Sequence, residues 1–385
     1  MNRHELTIVG AGPAGLAAAL AATSAGRPVH VYERRETVGG RFHGDFQGLE
    51  NWTTRADVLD ELVAAGINVS FEHTAFRELT MFGGDGRATT CRSDRPIWYL
   101  VRRGTDAGTL DQALATQARA VGITIETGRE LRTLPHGGIV AHGPHRADAI
   151  AVGYVFETGA ANAAYAAVSD ALAPSGYAYL LICNGRGTVA SCMFEDFHNE
   201  RRHLERTVEF FDRHVGLDMR SARRFGGFGN MALAAPLRRG GILFAGEAAG
   251  MQDALFGFGM RYAMISGHLA GLAAARTSAA AYEAECRRRL MPTVRAAFVN
   301  RALYARGRER GYRALIRHVG RARDVRSWLR RYYNGKWWTR LAYPLALADV
   351  RRRQQQTLGQ ACPDGCDCTW CKCRHEDRSP GDPER

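Results

Sequence analysis

Apolar residues fall into short runs along this chain, and their spacing predicts the elements. Leu6–Val9 is a four-residue apolar run that ends at Gly10. Gly15 to Ala25 is rich in Ala and Leu, which favour helix. Gly26-Arg27-Pro28 closes that helix, and Val29 to Tyr32 is a second apolar run. The order strand–turn–helix–strand has the spacing of a Rossmann βαβ unit. Ala56 to Ala65 is amphipathic at helical period and stops at Gly66. Leu110 to Val121 predicts another helix, with Asp106 or Thr109 as N-cap and Gly122 as the stop. Ile123 to Glu126 reads as a strand that feeds the main sheet, and Thr89 to Val101 as paired strands. From Gly153 to Phe197 short strands alternate with Gly-containing turns, and the runs beginning at Tyr177 and Thr188 are expected to be antiparallel neighbours. Ile242 to Ala245 is the return strand and Gly259 to Ala275 a helix. The remainder to about Arg353 is helical in pattern, and no internal repeat is present.

The predicted class is therefore α/β: a Rossmann-like nucleotide-binding domain with an inserted antiparallel-sheet substrate domain, plus C-terminal helices. The expected division gives residues 1–152 and 222–280 to the discontinuous nucleotide domain and 153–221, with part of 66–105, to the substrate sheet. Residues 281–353 form a basic helical region and 354–385 a Cys-rich tail.

The turn after the first strand reads Gly10-Ala11-Gly12-Pro13-Ala14-Gly15. In such a turn the first glycine permits the tight bend, the second lets backbone approach a pyrophosphate, and the third lets helix pack on strand. The helix N-terminus adds N–H groups and partial positive charge. Glu33 closes the second strand, where a carboxylate can accept hydrogen bonds from an adenosine ribose.

Two further segments narrow the choice of dinucleotide. Glu33-Arg34-Arg35-Glu36-Thr37-Val38-Gly39-Gly40-Arg41 resembles the extended signature of FAD proteins of the glutathione reductase-like group, with Arg41 facing the cofactor or simply solvent. Gly241 to Gly250, with Gly246-Glu247, is similar to that group's "GD" motif, in which an acid holds the ribityl hydroxyls; here Glu replaces the usual Asp. Gly257 and Gly259 then open a helix aimed at the pyrimidine edge of a flavin, where a helix N-terminus stabilises negative charge. Together with Tyr99-Leu-Val-Arg-Arg103 before the Leu110-Asp111 helix, the chain up to about Tyr282 resembles the geranylgeranyl reductase-like branch of the p-hydroxybenzoate hydroxylase superfamily. Pro174-Ser-Gly-Tyr177-Ala-Tyr179 is similar to that branch's substrate-domain motif, but Leu180-Leu181 follows where the branch has Phe-Pro. The resemblance implies FAD held by Gly10 to Gly15, Glu33, Arg34, Arg41, Arg103, Gly246, Glu247, Gly257 and Gly259.

In this superfamily the flavin carries the chemistry. The leading expectation is an enzyme that reduces a carbon–carbon double bond in an apolar, isoprenoid-like substrate by hydride transfer. Flavin-dependent hydroxylation is the alternative, and a non-catalytic flavin-stabilised binding protein a second one. No second GxGxxG unit with its acid is present, so NAD(P)H is expected as a transient donor, or a reduced carrier protein takes that part. Tyr177 and Tyr179 are the candidate proton donors, with a core-aromatic reading beside it; His43, His73, His198 and His268 read as structural or exposed.

Charge adds one feature. Formal net charge is +13, and Ala281 to Arg353 holds 20 Lys/Arg against 5 Asp/Glu. These Arg-rich helices interleave Trp328, Trp337 and Trp338. Solvated faces of packed helices explain this, and so does a membrane-surface face; nucleic acid is not expected. No run approaches the roughly 18 apolar residues of a membrane span, and the N-terminus has no secretory pattern, so the expected location is the cytoplasm with peripheral membrane contact. Cys91, Cys183, Cys192 and Cys286 read as buried small hydrophobes. Cys362, Cys366, Cys368, Cys371 and Cys373 offer thiolates for zinc, with a redox-labile tail as the alternative.

Overall fold

The computed structural model describes residues 5–145, 147–231, 236–276 and 278–358. A six-stranded sheet carries the nucleotide half, in the order Arg238–Arg239, Ile242–Phe244, Gly138–Val140, Leu6–Val9, Val29–Tyr32, Thr124–Glu126. All its pairs are parallel except the one between Arg238–Arg239 and Ile242–Phe244. Leu6 and Ile8 lie opposite Val29 and Val31, and all four are buried, which sets the register of the two central strands.

The helix Pro13–Ser24 has no polar face because it has no solvent side. Ala14 to Ala22 are all buried, between the sheet and the helix Met260–Ala275. A Cβ at Gly267 would overlap the Ala14 carbonyl, and one at Gly271 the Ala18 carbonyl. Small residues thus bring the two helix backbones together and fix the glycine-rich turn against the Gly246 segment.

A seven-stranded sheet forms the second half, in the order Arg220–Gly229, Ala149–Glu157, Arg186–Met193, Tyr177–Cys183, Ala163–Val168, Glu78–Gly83, Ala88–Arg92. It is antiparallel except between Ala163–Val168 and Glu78–Gly83. The expected hairpin holds: Tyr177 lies opposite Cys192 and Tyr179 opposite Ala190. The expected domain boundaries at 152/153 and 221/222 fall inside the strands Ala149–Glu157 and Arg220–Gly229, so this sheet draws on residues from both sides of each. The helix Glu200–Val215 covers the sheet with His203, Leu204, Thr207 and Phe211.

One pairing differs from expectation. Ala88–Arg92 and Trp98–Arg102 are both strands but not partners. The first pairs with Glu78–Gly83; the second joins a separate three-stranded sheet between Phe46–Glu50 and His73–Phe76. Trp98–Arg102 is buried along its whole length, which a solvent-facing hairpin arm would not be.

The basic region is helical throughout: Ala279–Arg289, Met291–Gly320, Val325–Tyr333 and Trp337–Leu358. The long helix breaks at Arg308, whose φ of 45° and ψ of −150° leave helical space; its guanidinium spans Asp170 at 3.3 Å and Glu195 at 2.8 Å. Among the described residues no helix is long and apolar enough to cross a membrane. The five tail cysteines lie outside the described residues.

Candidate active site

A cavity of about 1080 Å³ runs between the two sheets and under the C-terminal helices. That is at the upper end of small-molecule sites, roughly 300–1,000 Å³, and leaves space for a dinucleotide and a second molecule. Its walls include every sequence-nominated cofactor residue except Gly15 and Gly246. Those two act from behind. A Cβ at Gly15 would overlap the Gly10 carbonyl, and one at Gly246, where φ is 62°, would meet the Ala14 Cβ at 2.7 Å.

At one end stands the glycine-rich turn. Gly10 has φ of 100° and no room for a side chain beside the Ala141 carbonyl, whereas a Cβ on Gly12 would meet nothing within 4 Å. Gly12 therefore borders empty cavity, and the helix it opens has no side-chain cap. Its first N–H groups face space where an anion would satisfy them. Glu33 Oε2 accepts from the Ala11 N–H at 2.9 Å and Oε1 from the Arg35 N–H at 3.0 Å. Half of the carboxylate's acceptor capacity remains for a ribose.

The middle of the cavity holds two ion pairs. Arg103 forks onto Asp111 with two 2.8 Å hydrogen bonds; both are buried, and Asp111 also accepts the Gly104 N–H at 3.0 Å. The guanidinium lies 3.9 Å over the Phe42 ring. Only Nη1 stays loosely bound, at 3.4 Å from Gln47. Arg41 donates from Nη1 to Glu247 Oε2 at 3.0 Å and from Nη2 to the Phe228 carbonyl. Glu247 Oε1 takes the Asn230 N–H at 2.8 Å. The acid at the Asp position of the "GD" motif is thus clamped from both sides, and Arg41 is its partner before it is anyone's phosphate ligand. Arg34 is exposed at the rim.

The other end is aromatic. The loop after Gln252 is shaped by Asp253, which is buried and accepts the Leu255 N–H at 2.9 Å, the Phe256 N–H at 3.1 Å and the Tyr333 hydroxyl at 3.0 Å. Burial pushes the Asp253 carboxyl up to about 6 against those hydrogen bonds, and the nearby Glu50 charge adds to the rise. Gly257, with φ of 79°, has nothing within 4 Å of a would-be Cβ. Phe258 packs into the space left by Gly48 and edge-on to Trp52 at 4.8 Å. Tyr177 donates to the Phe256 carbonyl at 2.5 Å and meets the Phe256 ring edge-on at 5.5 Å. Tyr179 lines the cavity 5.9 Å from Tyr177 between ring centroids, and its hydroxyl has no hydrogen bond among the described residues. Burial holds both phenols well above their usual range.

Three polar atoms here lack partners. Gln252 Oε1 and Trp52 Nε1 are buried, unpaired and on residues of the cavity wall; Asn230 Oδ1, also buried and unpaired, belongs to the residue whose N–H donates to Glu247. Buried polar groups are normally satisfied, so these atoms fit a bound molecule with donors and acceptors of its own, as a flavin has. Sequence reading missed Gln252, Asp253 and Trp52 as site residues. It also took Cys192 for a core cysteine, but Cys192 is only half-buried and lines the cavity beside Tyr177. Arg301 was missed too: buried, it lies 3.9 Å over Phe194 and ties the Leu255 carbonyl at 3.2 Å to that of Ser175. Among the described residues no cluster of three metal-ligating side chains occurs.

Residues 8–53 match the family model of the NAD(P)-binding Rossmann-like domain. No curated protein matches the chain in sequence. Solved structures do match in three dimensions. A geranylgeranyl bacteriochlorophyll reductase-like protein from Thermoplasma acidophilum superposes with a TM-score of 0.66 at 16% identity, over 92% of this chain and 98% of that one. A flavoprotein/dehydrogenase from Cytophaga hutchinsonii gives 0.62 at 16%, over 92% and 100%. The fold is that of the FAD-dependent oxidoreductases. The p-nitrophenol 4-monooxygenase of Pseudomonas putida shares it, with a TM-score of 0.62 at 16% identity over 86% and 99% of the two chains. At this identity the likeness concerns the fold, and the chemistry has to be argued from the cavity.

Proposed function

We propose that this chain is an FAD-dependent oxidoreductase that reduces a carbon–carbon double bond of an apolar, isoprenoid-like substrate. The carrying observation is that one continuous cavity joins the Gly12 side of the dinucleotide turn to an aromatic chamber. Gly12, Glu33 and the Pro13–Ser24 helix terminus would hold the adenosine and pyrophosphate. Glu247, clamped by Arg41, would take ribityl hydroxyls. Gln252 and the Gly257–Gly259 backbone would hold the polar edge of the ring system. When bound and reduced by its electron donor, the flavin would supply hydride from N5 and be left oxidised.

The chain's own residues do the rest. Tyr177, Phe256 and Phe258 exclude water from the chamber and present apolar surface to an alkene. Tyr179 keeps its proton at Oη, because burial raises its pKa and Asp45 adds to the rise. Its hydroxyl is free to deliver that proton to the carbon left electron-rich after reduction. NAD(P)H or a reduced carrier protein is the proposed donor, binding transiently. Peripheral contact with a membrane belongs to the same reading, since such a substrate dissolves in lipid. Zinc on Cys362, Cys366, Cys368, Cys371 and Cys373 is proposed from their spacing and is tested by the metal content of the full chain against a variant with all five as Ser.

Hydroxylation is the second reading, supported by the shared fold with a p-nitrophenol 4-monooxygenase. One experiment separates the two. The flavin is reduced anaerobically, then either air or an isoprenoid alkene is admitted. Reoxidation by the alkene with slow reoxidation in air agrees with the proposal. Rapid reoxidation in air with an oxygenated product would replace it by hydroxylation.

A further inference from the structure

The helix Trp337–Leu358 is apolar on two sides. Its inner side, with Thr339, Ala346, Asp349 and Val350 buried, packs on the helix Met291–Gly320. Its outer side carries Trp337, Leu341 and Leu345, which are 74%, 69% and 76% exposed. These sit at i, i+4 and i+8, one above another on a single face. Trp338, Tyr332 and Leu303 are exposed as well, at 37%, 45% and 57%, and border the cavity together. Single exposed leucines need no explanation, but a contiguous apolar ridge marks an interaction site.

The surroundings identify the occupant. Lys336, Arg331 and Arg340 are exposed beside the ridge and form no ion pair among the described residues. The acid in that helix, Asp349, is buried and shared by Arg306, Arg352 and Arg353. A second copy would bring the same cations face to face and be repelled. An anionic lipid surface complements both features: headgroups meet the cations, acyl chains take the leucines, and tryptophans suit the boundary. The stripe spans about 12 Å at 1.5 Å per residue, so the helix lies along the surface. Leu303, Tyr332 and Trp338 are both exposed and part of the cavity wall. The cavity therefore opens beside the ridge.

We infer that the ridge Trp337–Leu341–Leu345 docks on anionic bilayers and sets the mouth of the cavity against the lipid, so that a lipid-dissolved substrate enters without crossing water. This rests on the functional reading above only for the substrate's use; docking itself is independent of it. The test is co-sedimentation of the full chain with vesicles of phosphatidylglycerol and phosphatidylcholine, and with phosphatidylcholine alone. Flavin absorbance and its bleaching by reductant are recorded on the same samples.

Binding to the anionic vesicles is expected, weakening in high salt. Trp337→Ser/Leu341→Ser/Leu345→Ser should lower partitioning at least about tenfold, and Lys336→Glu/Arg340→Glu by about tenfold or more. Trp337, Leu341 and Leu345 are exposed and lie off the cavity wall, so flavin content should be unchanged in the triple variant. A full chain that stays in solution with anionic vesicles at low salt overturns the inference, as does a triple variant that sediments like the parent. A triple variant that instead converts a dimer to a monomer in light scattering assigns the ridge to a second copy, and the inference fails. Docking lost with bleaching intact refutes docking alone; docking intact without flavin refutes the functional reading alone.

Discussion

Two glycines in the turn after the first strand should respond in opposite ways to the same added methyl group. At Gly12 the backbone is extended, with φ of −75° and ψ of 179°, and a Cβ would meet nothing within 4 Å. Alanine fits there in the ligand-free chain. Its loss as a helix N-cap and its gain in restricting the unfolded chain are each below about 1 kcal/mol and oppose one another. The stability of the ligand-free Gly12→Ala variant should therefore stay within about 1 kcal/mol of the parent. The methyl projects into the space where a pyrophosphate would lie against the helix terminus. Displacing two charge-assisted backbone hydrogen bonds at about 1.5 kcal/mol each weakens FAD by about 3 kcal/mol, roughly a hundredfold in Kd. At Gly15 a Cβ would overlap the Gly10 carbonyl. The helix must move off the strand, at a cost of about 3 kcal/mol or more. Urea unfolding of the ligand-free proteins and fluorescence titration with FAD read the two effects separately. A Gly12→Ala variant that binds FAD like the parent, or a Gly15→Ala variant as stable as the parent, refutes the reasoning.

Arg103→Met leaves Asp111 buried without its fork and should cost about 3–5 kcal/mol of stability, while Arg103→Met/Asp111→Leu should regain most of it; thermal unfolding decides, and a double variant as unstable as the single one contradicts the assignment. The Asp253 carboxyl, raised by burial to about 6 from an unfolded value of 3.8, stabilises the fold fully below pH 3.8, and that contribution is lost as pH rises through about 6. The difference is at most about 3 kcal/mol. Denaturation between pH 4.5 and 7 should show a smaller fall for Asp253→Asn than for the parent; an equal fall would mean that Asp253 does not titrate in this window.

The nucleotide half was legible because its signals are local. Gly10, Gly12 and Gly15 are set by backbone geometry within one turn, and Glu33 lies at a fixed distance along the next strand. The Tyr177 and Thr188 runs are short, rich in apolar and strand-forming residues and separated by a Gly-containing turn, and they pair as expected. What stayed hidden depends on contacts distant in sequence. Nothing near Arg41 announces Glu247, and nothing near Asp253 announces Tyr333. Ala88–Arg92 and Trp98–Arg102 look like hairpin arms because both are rich in strand formers, yet burial sends them to different sheets. The helix Glu200–Val215 went unseen because its charged residues outnumber its five buried ones, of which only Leu204 and Phe211 are apolar. In the helix Trp337–Leu358, apolar residues inside and outside cancel the period altogether.

The central claim is that this chain holds FAD, and the most direct measurement is the absorption spectrum of the purified protein after incubation with FAD and removal of the excess. One FAD per chain, with bands that bleach on anaerobic addition of dithionite, is the predicted result. A protein that remains folded by circular dichroism and retains no flavin would contradict the account at its root.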